Sequence, residues 1–480
     1  MNLKIKSIQN LRTKLVILSL VTISTLFNLS CQKYVDIDRG NTRNIVQTAN
    51  DCQLLLDNYT VINTGYPSDG EASSDDYYLT NAGYLLSALA PTDRDLYIWS
   101  TTAIRPGAQP QWESSYQVVF QANLMLETIN KIKSGNTDPA ATPTLLNTLT
   151  GSALFLRSFA FWQVAQLYAK PYLAATSGQD PGIPIRLSSD INVQSQRGTV
   201  SGTYNQIIQD LKQAISLLPA TSIVATRPNQ ASAYALLARV YLSMEDYPDA
   251  LTNADAALKI SNQLINFNTL NANSNTPFSP RFNKEVIFHA IMAPDPGINP
   301  GSAFSNVAKI DSNLYASYQA NDLRQKIFFK QNSGTDIGTH RFTGNYEPVT
   351  SATFFDGLAV DELYLIRAEC YARASNTISA MNDLNTLLTT RWKTGTYVNM
   401  TAASADQALA LILAERRKEL LMRGVRWSDL RRLNRDTRFA KTLTRTIQGT
   451  VYTLPPNDPR YTLLIPQEVI LNSPITQNTH

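Results

Sequence analysis

Three histidines, three cysteines and a few adjacent carboxylates are the residues of this 480-residue chain whose types suit catalysis or metal binding. No two of His289, His340 and His480 stand at metal-ligand spacing, and no cysteine pair offers thiolates for zinc, so catalytic zinc is not expected. The chain contains no G-x-x-x-x-G-K-[ST], no G-x-G-x-x-G and no G-x-S-x-G, which leaves nucleotide cradles and the hydrolase elbow without support. The pairs Asp75-Asp76 and Asp361-Glu362 have the right residue type for glycoside hydrolysis, a reaction that sets two carboxyls about 5 to 10 Å apart across the scissile bond. Neighbouring acids point in different directions, however, and pairs of this kind are expected to be solvated. No catalytic residue, metal site or cofactor is therefore expected.

Cys31 has a different chemistry available. Before it come Lys4, Lys6, Arg12 and Lys14, then an apolar run from Leu15 to Leu29 interrupted by Ser19, Thr22, Ser24, Thr25 and Asn28. That order is an export signal, and the run is shorter than the roughly 20 apolar residues of a spanning helix. Leu29 and small Ser30 ahead of the cysteine resemble a lipobox, with Asn28 departing from its usual aliphatic residue. Cleavage after residue 30 and acylation of Cys31 would give a durable anchor, since each buried methylene contributes about 0.8 kcal/mol. Cys52 and Cys370 both fall in helical stretches and read as small buried residues. Whether they pair is open.

A net charge of +4, with 17% charged and 43% hydrophobic residues, indicates neither disorder nor a general polyanion-binding field. Helical periodicity dominates residues 112–132, 151–169, 203–218, 229–243, 247–259, 360–374, 377–389 and 407–423, so the chain reads as mostly α. Ala233, Leu236, Leu237, Ala238 and Tyr241, a turn at Asp246-Tyr247-Pro248, then Ala250, Ala254 and Ala257 form a close-packed antiparallel pair resembling a tetratricopeptide hairpin. Residues 363–373 and 380–387 repeat it, with Ala368 and Ala372 as small positions. Periodicity disappears over 170–200, 261–357 and 435–480, where Val286–Ile291 and Tyr461–Ile465 look like small ribbons. Loops of this length on a helical scaffold suit recognition. The segment Glu415 to Arg435 is dense in bases, but acids interleave with them and an apolar face runs beside them. It reads as a scaffold helix laced by ion pairs rather than a nucleic-acid surface.

Ordered blocks along most of the chain resemble the SusD/RagB family of nutrient-binding outer-membrane lipoproteins. "LAERRKELLMRGVRWSDLRRLNR" is the most specific of them, and "WESSYQVVFQANLMLETI", "GSALFLRSFAFWQVAQLYAKPYL", "ASAYALLARVYLSMEDYPDALTNADAAL" and "DELYLIRAECYARA" support it in the family's order. The resemblance implies an all-α fold of tetratricopeptide-like helix pairs with long irregular loops. It also implies a lipid anchor at the outer membrane, facing outward, and a partner SusC-like TonB-dependent transporter that receives a bound oligosaccharide or peptide. No nucleic acid is expected. The expected organisation is a signal peptide at 1–30 and one domain at 31–480. Within that domain the divisions are an N-terminal lobe at about 31–200, a helix-pair scaffold at about 201–260 and 358–435, and a loop-rich insertion at about 261–357.

The blocks that carry the resemblance are mostly scaffold, so the ligand site must be sought in loops. Aromatic rings stack on apolar sugar faces while polar groups take the hydroxyls. Residues 66–99 are the best region for this, with Trp99 and Tyr97 first, then Tyr77, Tyr78, Asp76 and Arg94. Trp112, Trp162, Trp392 and Trp427 read as core. Loop 291–310 offers only Phe304, a poverty that leaves peptide ligands open. A tetratricopeptide-like envelope adaptor without a small ligand is the second reading, and a hydrolase the third.

Overall fold

The helix expected at 151–169 begins earlier, at Pro143, because Thr142 caps it: the threonine hydroxyl accepts from Leu145 N at 3.2 Å and proline occupies the first turn. Burial on all sides from Leu149 to Tyr168 makes it the central helix. The one charge in that stretch, Arg157, is neutralised by a bidentate pair with Asp210 at 2.8 and 2.9 Å. In this computed structural model residues 46–135, 137–298, 307–349 and 353–480 are described. The leader, Cys31 and Phe304 lie outside them.

Among the described residues the ten longer helices are α1 (Ala49–Leu56), α2 (Glu113–Gly135), α3 (Pro143–Tyr168), α4 (Val200–Leu217), α5 (Gln230–Ser243), α6 (Tyr247–Ile260), α7 (Val360–Arg373), α8 (Thr377–Thr389), α9 (Ala405–Glu419) and α10 (Arg426–Leu433). From α2 to α6 each packs on the next; α7 then packs against α6, α8 and α9. The two helix pairs share one turn. Glu245 and Ser375 take φ of 63° and 61°, the next residue's N–H reaches back to Tyr241 O at 3.0 Å or Tyr371 O at 2.8 Å, and Asp246 or Asn376 caps the following helix. Repetition at this level is the physical content of the tetratricopeptide likeness. The chain is mostly helical, as expected, and residues Thr48–His480 gather into one compact unit.

Among the described residues the strands come in antiparallel pairs: β1 (Tyr77–Tyr78) with β5 (Lys309–Ile310), β2 (Pro181–Pro184) with β3 (Arg197–Thr199), β4 (Val286–Phe288) with β8 (Leu358–Ala359), β6 (Phe329–Gln331) with β7 (His340–Phe342), and β9 (Leu443–Ile447) with β10 (Thr450–Leu454). Two expectations change. Tyr461–Ile465 is not a ribbon; the C-terminal ribbon is β9–β10, closed by Gln448 and Gly449 at φ 50° and 79°, the two-residue turn that fits strand twist. The helix read through residue 423 stops at Glu419, since Met422 turns left-handed and Gly424, at φ 72°, lies where a Cβ would sit 2.2 Å from Asp356 Oδ1. Within 261–357, Phe267, Phe278, Phe328, Phe342, Tyr346 and Phe355 form an aromatic core. No helix among the described residues is long and apolar enough to cross a membrane.

Candidate functional site

The loops above this scaffold are tied down by buried charge. Both carboxylate pairs, expected to be solvated, are instead buried or half-buried against arginines: Asp75 takes Arg426 at 2.7 Å, Asp76 takes Arg417 at 3.0 Å, Asp361 takes Arg423 at 3.1 Å and Glu362 takes Arg239 at 2.5 Å. Arg416–Asp429 and Arg432–Glu369, at 2.8 and 2.6 Å, complete the lacing of α9 and α10. Each of these carboxylates is thus held by an arginine rather than solvated. His289 is buried too, and burial together with the nearby Arg281 pushes it down to about 3. Its ring sits 3.1 Å from the Tyr59 hydroxyl. No group of three His, Cys, Asp or Glu among the described residues could hold a metal ion. Cys52 and Cys370 are free and buried, and burial pushes the Cys52 thiol up to about 12.

Above the lattice lies a cleft of about 420 Å³. Strand β1 with Asp311 and Asn313, just after β5, forms one side, the end of the short helix Pro91–Tyr97 another, and β9 a third. Strand alternation sends Leu443, Arg445 and Ile447 inward and Thr444 and Thr446 outward. Arg445 enters a cage of three rings, 3.8 Å from the Tyr97 centroid, 4.4 Å from Trp99 and 5.4 Å from Tyr77. Its guanidinium donates to the carbonyls of Tyr97 and Ser74. Each ring is also pinned at its polar atom. Trp99 Nε1 donates to Ser73 O at 2.9 Å, the Tyr77 hydroxyl to Ala72 O at 2.6 Å, and the Tyr97 hydroxyl accepts from Leu79 N at 2.8 Å. Trp99 has φ 53°, an uncommon conformation for a bulky residue, held by these contacts.

Four of the six expected residues, Tyr77, Tyr78, Tyr97 and Trp99, thus meet at one cleft. Their arrangement differs from an open platform. Trp99 is 4% exposed and Tyr97 3%, because the arginine occupies ring faces that a sugar would need. Half-buried Tyr78 is the more open ring, beside a polar rim of Asp75, Asn313, Lys441, Thr444 and Thr446. Asp76 turns behind the cleft to Arg417, and Arg94 turns away, donating to Leu86 O at 2.9 Å. Burial alone would raise Asp75, yet Arg426, Arg417 and Lys441 hold it well below the usual carboxylate range. Arg445 and Lys441 are absent from the expected site. The alternation of Leu443 to Ile447 was the signal, masked by a charge at an inward position. Trp112, Trp162, Trp392 and Trp427 are all buried, as expected of core.

A family profile described as starch-binding proteins associating with the outer membrane matches residues 33–242, and the profile of the SusD family matches residues 361–478. The SusD-like protein P2 of Formosa agariphila is 26% identical over 144 residues, a match spanning 30% of this chain and 25% of that relative. A SusD superfamily protein from Bacteroides thetaiotaomicron superposes with a TM-score of 0.71 at 22% identity, covering 90% of this chain and 100% of that one. One from Bacteroides vulgatus gives 0.72 at 19%, covering 90% and 99%. A laminarin-binding SusD-like protein gives 0.63 at 16%, covering 90% and 98%. At such identities the likeness is one of fold. The two profiles, in the order expected and over the same blocks, place the chain by sequence as well: it belongs to the SusD/RagB family.

Proposed function

We propose that this protein captures a nutrient at the outer membrane, holds it in the cleft beneath Tyr78 and the Arg445 cage, and delivers it to a SusC-like TonB-dependent transporter. An oligosaccharide is the favoured ligand, with a peptide as the other class. The observation that carries the reading is the cleft itself, in which pinned aromatic edges, one open tyrosine and a rim of threonines, asparagine, Asp75 and Lys441 combine apolar contact with hydroxyl-matching polar groups. Similarity to a laminarin-binding SusD-like protein supports the sugar class. Because the rings and Arg445 are held in place before a ligand arrives, little ordering cost opposes binding. An acylated Cys31 would keep the cleft at the membrane surface, on its outer side, where a transporter could receive the cargo.

Calorimetric titration of the purified protein with neutral β-glucan oligosaccharides and with short peptides, followed by mass spectrometry of the ligand, tests this. Saturable binding with the ligand intact is expected, together with a large β-barrel protein in gentle membrane pull-downs. Cleaved ligand would overturn the capture reading.

A further inference from the structure

Strand β9 and the residues leading into it put two cations on the aromatic cleft that its acids do not match. Lys441 lines the cleft with its side chain 50% exposed, and Arg445 lines it from within the ring cage. The Lys441 ammonium donates to Asp75 Oδ2 at 2.8 Å, but that carboxylate is already taken. Arg426 holds both of its oxygens, at 2.7 and 3.1 Å, and Arg417 Nη2 stands 3.3 Å from Oδ2. A carboxylate has about four lone-pair sites, which these contacts fill, and its single charge cannot neutralise three cations. An ammonium has three N–H donors, and among the described residues only Asp75 accepts from that of Lys441. The others are left to water or to a ligand.

The neighbouring acids do not restore the balance. Asp76 accepts from Arg417 at 3.0 Å, and burial pushes it up against that pull. Asp311, on the β5 side of the cleft, spends one oxygen on Leu314 N at 2.6 Å, capping the short turn of helix that follows it. Arg417, Arg426, Lys441 and Arg445 thus stand against Asp75, Asp76 and Asp311, with one cation in excess. Two further acids act on Tyr77, Asp295 and Glu71. Burial pushes them up to about 7 and about 8, so neither carries a full charge near neutral pH. Asp429, near Arg426, is taken by Arg416 and Arg432. Of the two unmatched cations, Arg445 is 6% exposed and acts through its field, while Lys441 can be touched.

We propose that the aromatic cleft selects an acidic oligosaccharide, whose anionic group, a uronic carboxylate or a sulfate ester, sits on the Lys441 ammonium while a sugar ring lies against Tyr78. The exposed threonines 442 and 444 line the cleft beside Lys441 and offer hydroxyl donors to the same group. This rests on the capture reading above and deepens it, by naming the residue that sets the charge of the cargo.

The test titrates the full chain with two matched pairs, trigalacturonate against its methyl ester and laminaritriose with against without a sulfate ester. At low salt the acid of at least one pair should bind about fivefold or more tighter than its neutral partner, the scale of one accessible ion pair. The pair that shows the preference identifies carboxylate or sulfate. Raising NaCl from about 50 to about 300 mM should shrink that preference, because solvent ions reach the ammonium. Lys441→Gln should bring acid and neutral ligand to within about twofold of each other, and Lys441→Arg should keep the preference, both with melting temperatures near the parent's. Equal affinities within both pairs, or a preference that survives in folded Lys441→Gln, would overturn this inference and leave sugar capture standing. Binding of no sugar from either pair would overturn the sugar reading together with it.

Discussion

Arg324 and Arg445 are both buried, and they illustrate two ways of keeping a cation out of water. Arg324 sits among Asp322 at 2.7 Å, Glu415 at 2.5 Å and Glu419 at 3.0 Å, in the lattice beneath α9. Arg445 has carbonyl oxygens and three rings but, among the described residues, no carboxylate. Full neutralisation leaves nothing for a ligand to do, and it makes the lattice costly to break. A cation compensated by dipoles and ring quadrupoles keeps an outward field, and Arg445 is such a cation at the wall of a cleft.

Removing the charge from each tests that contrast. Arg324→Met leaves three carboxylates buried without their shared partner, and about 3 to 5 kcal/mol of stability should be lost in urea unfolding. A loss below about 1 kcal/mol would mean the lattice does not hold the scaffold. Arg445→Met should cost less, about 1 to 3 kcal/mol for the abandoned carbonyls, yet weaken oligosaccharide binding as Tyr97 and Trp99 lose their clamp. If stability falls as far as in Arg324→Met, the two regions do not differ in the way described.

The acids separate the regions by pH. Burial pushes Asp356 up to about 8 against the pull of Arg239, and pushes Glu71 up to about 8, aided by Asp76. A carboxyl whose folded pKa is raised binds its proton more tightly in the native state, so its contribution is complete below the unfolded pKa and is lost as pH rises towards 8. His289, lowered to about 3, acts only below its unfolded value of 6.5, where falling pH destabilises. Urea midpoints should therefore decline from pH 6.5 to 8.5, and Asp356→Asn should flatten that decline. A slope identical to the parent's would remove Asp356 as its source. The smallest effect belongs to Lys441, half-exposed at the rim and 2.8 Å from Asp75. Lys441→Ala should change stability by no more than about 0.5 kcal/mol, while shifting oligosaccharide affinity several-fold if the rim touches the ligand.

The fold's helices were legible because periodicity and small residues act over a few positions: Ala233, Leu236, Leu237 and Ala238, then Ala250, Ala254 and Ala257, mark their helices locally. The aromatic core of 261–357 was not legible, since β4 to β8 are two or three residues each, too short for any period to appear. The candidate site was half legible. Tyr77, Tyr78, Tyr97 and Trp99 cluster in sequence and meet at the cleft, but Arg445 and Lys441 come from a segment that reads as loop.

By itself the sequence determined the mostly helical scaffold, the repeated helix pair, the buried tryptophans and the family, all of which rest on short-range patterns or on ordered blocks. Only the tertiary structure decided that Asp75 meets Arg426 and that Arg445 fills the ring cage, pairs separated by 351 and 348 residues along the chain. Contacts across such separations leave no local trace, because each partner's own neighbours satisfy the same helix or loop propensities whichever distant charge the fold brings to it.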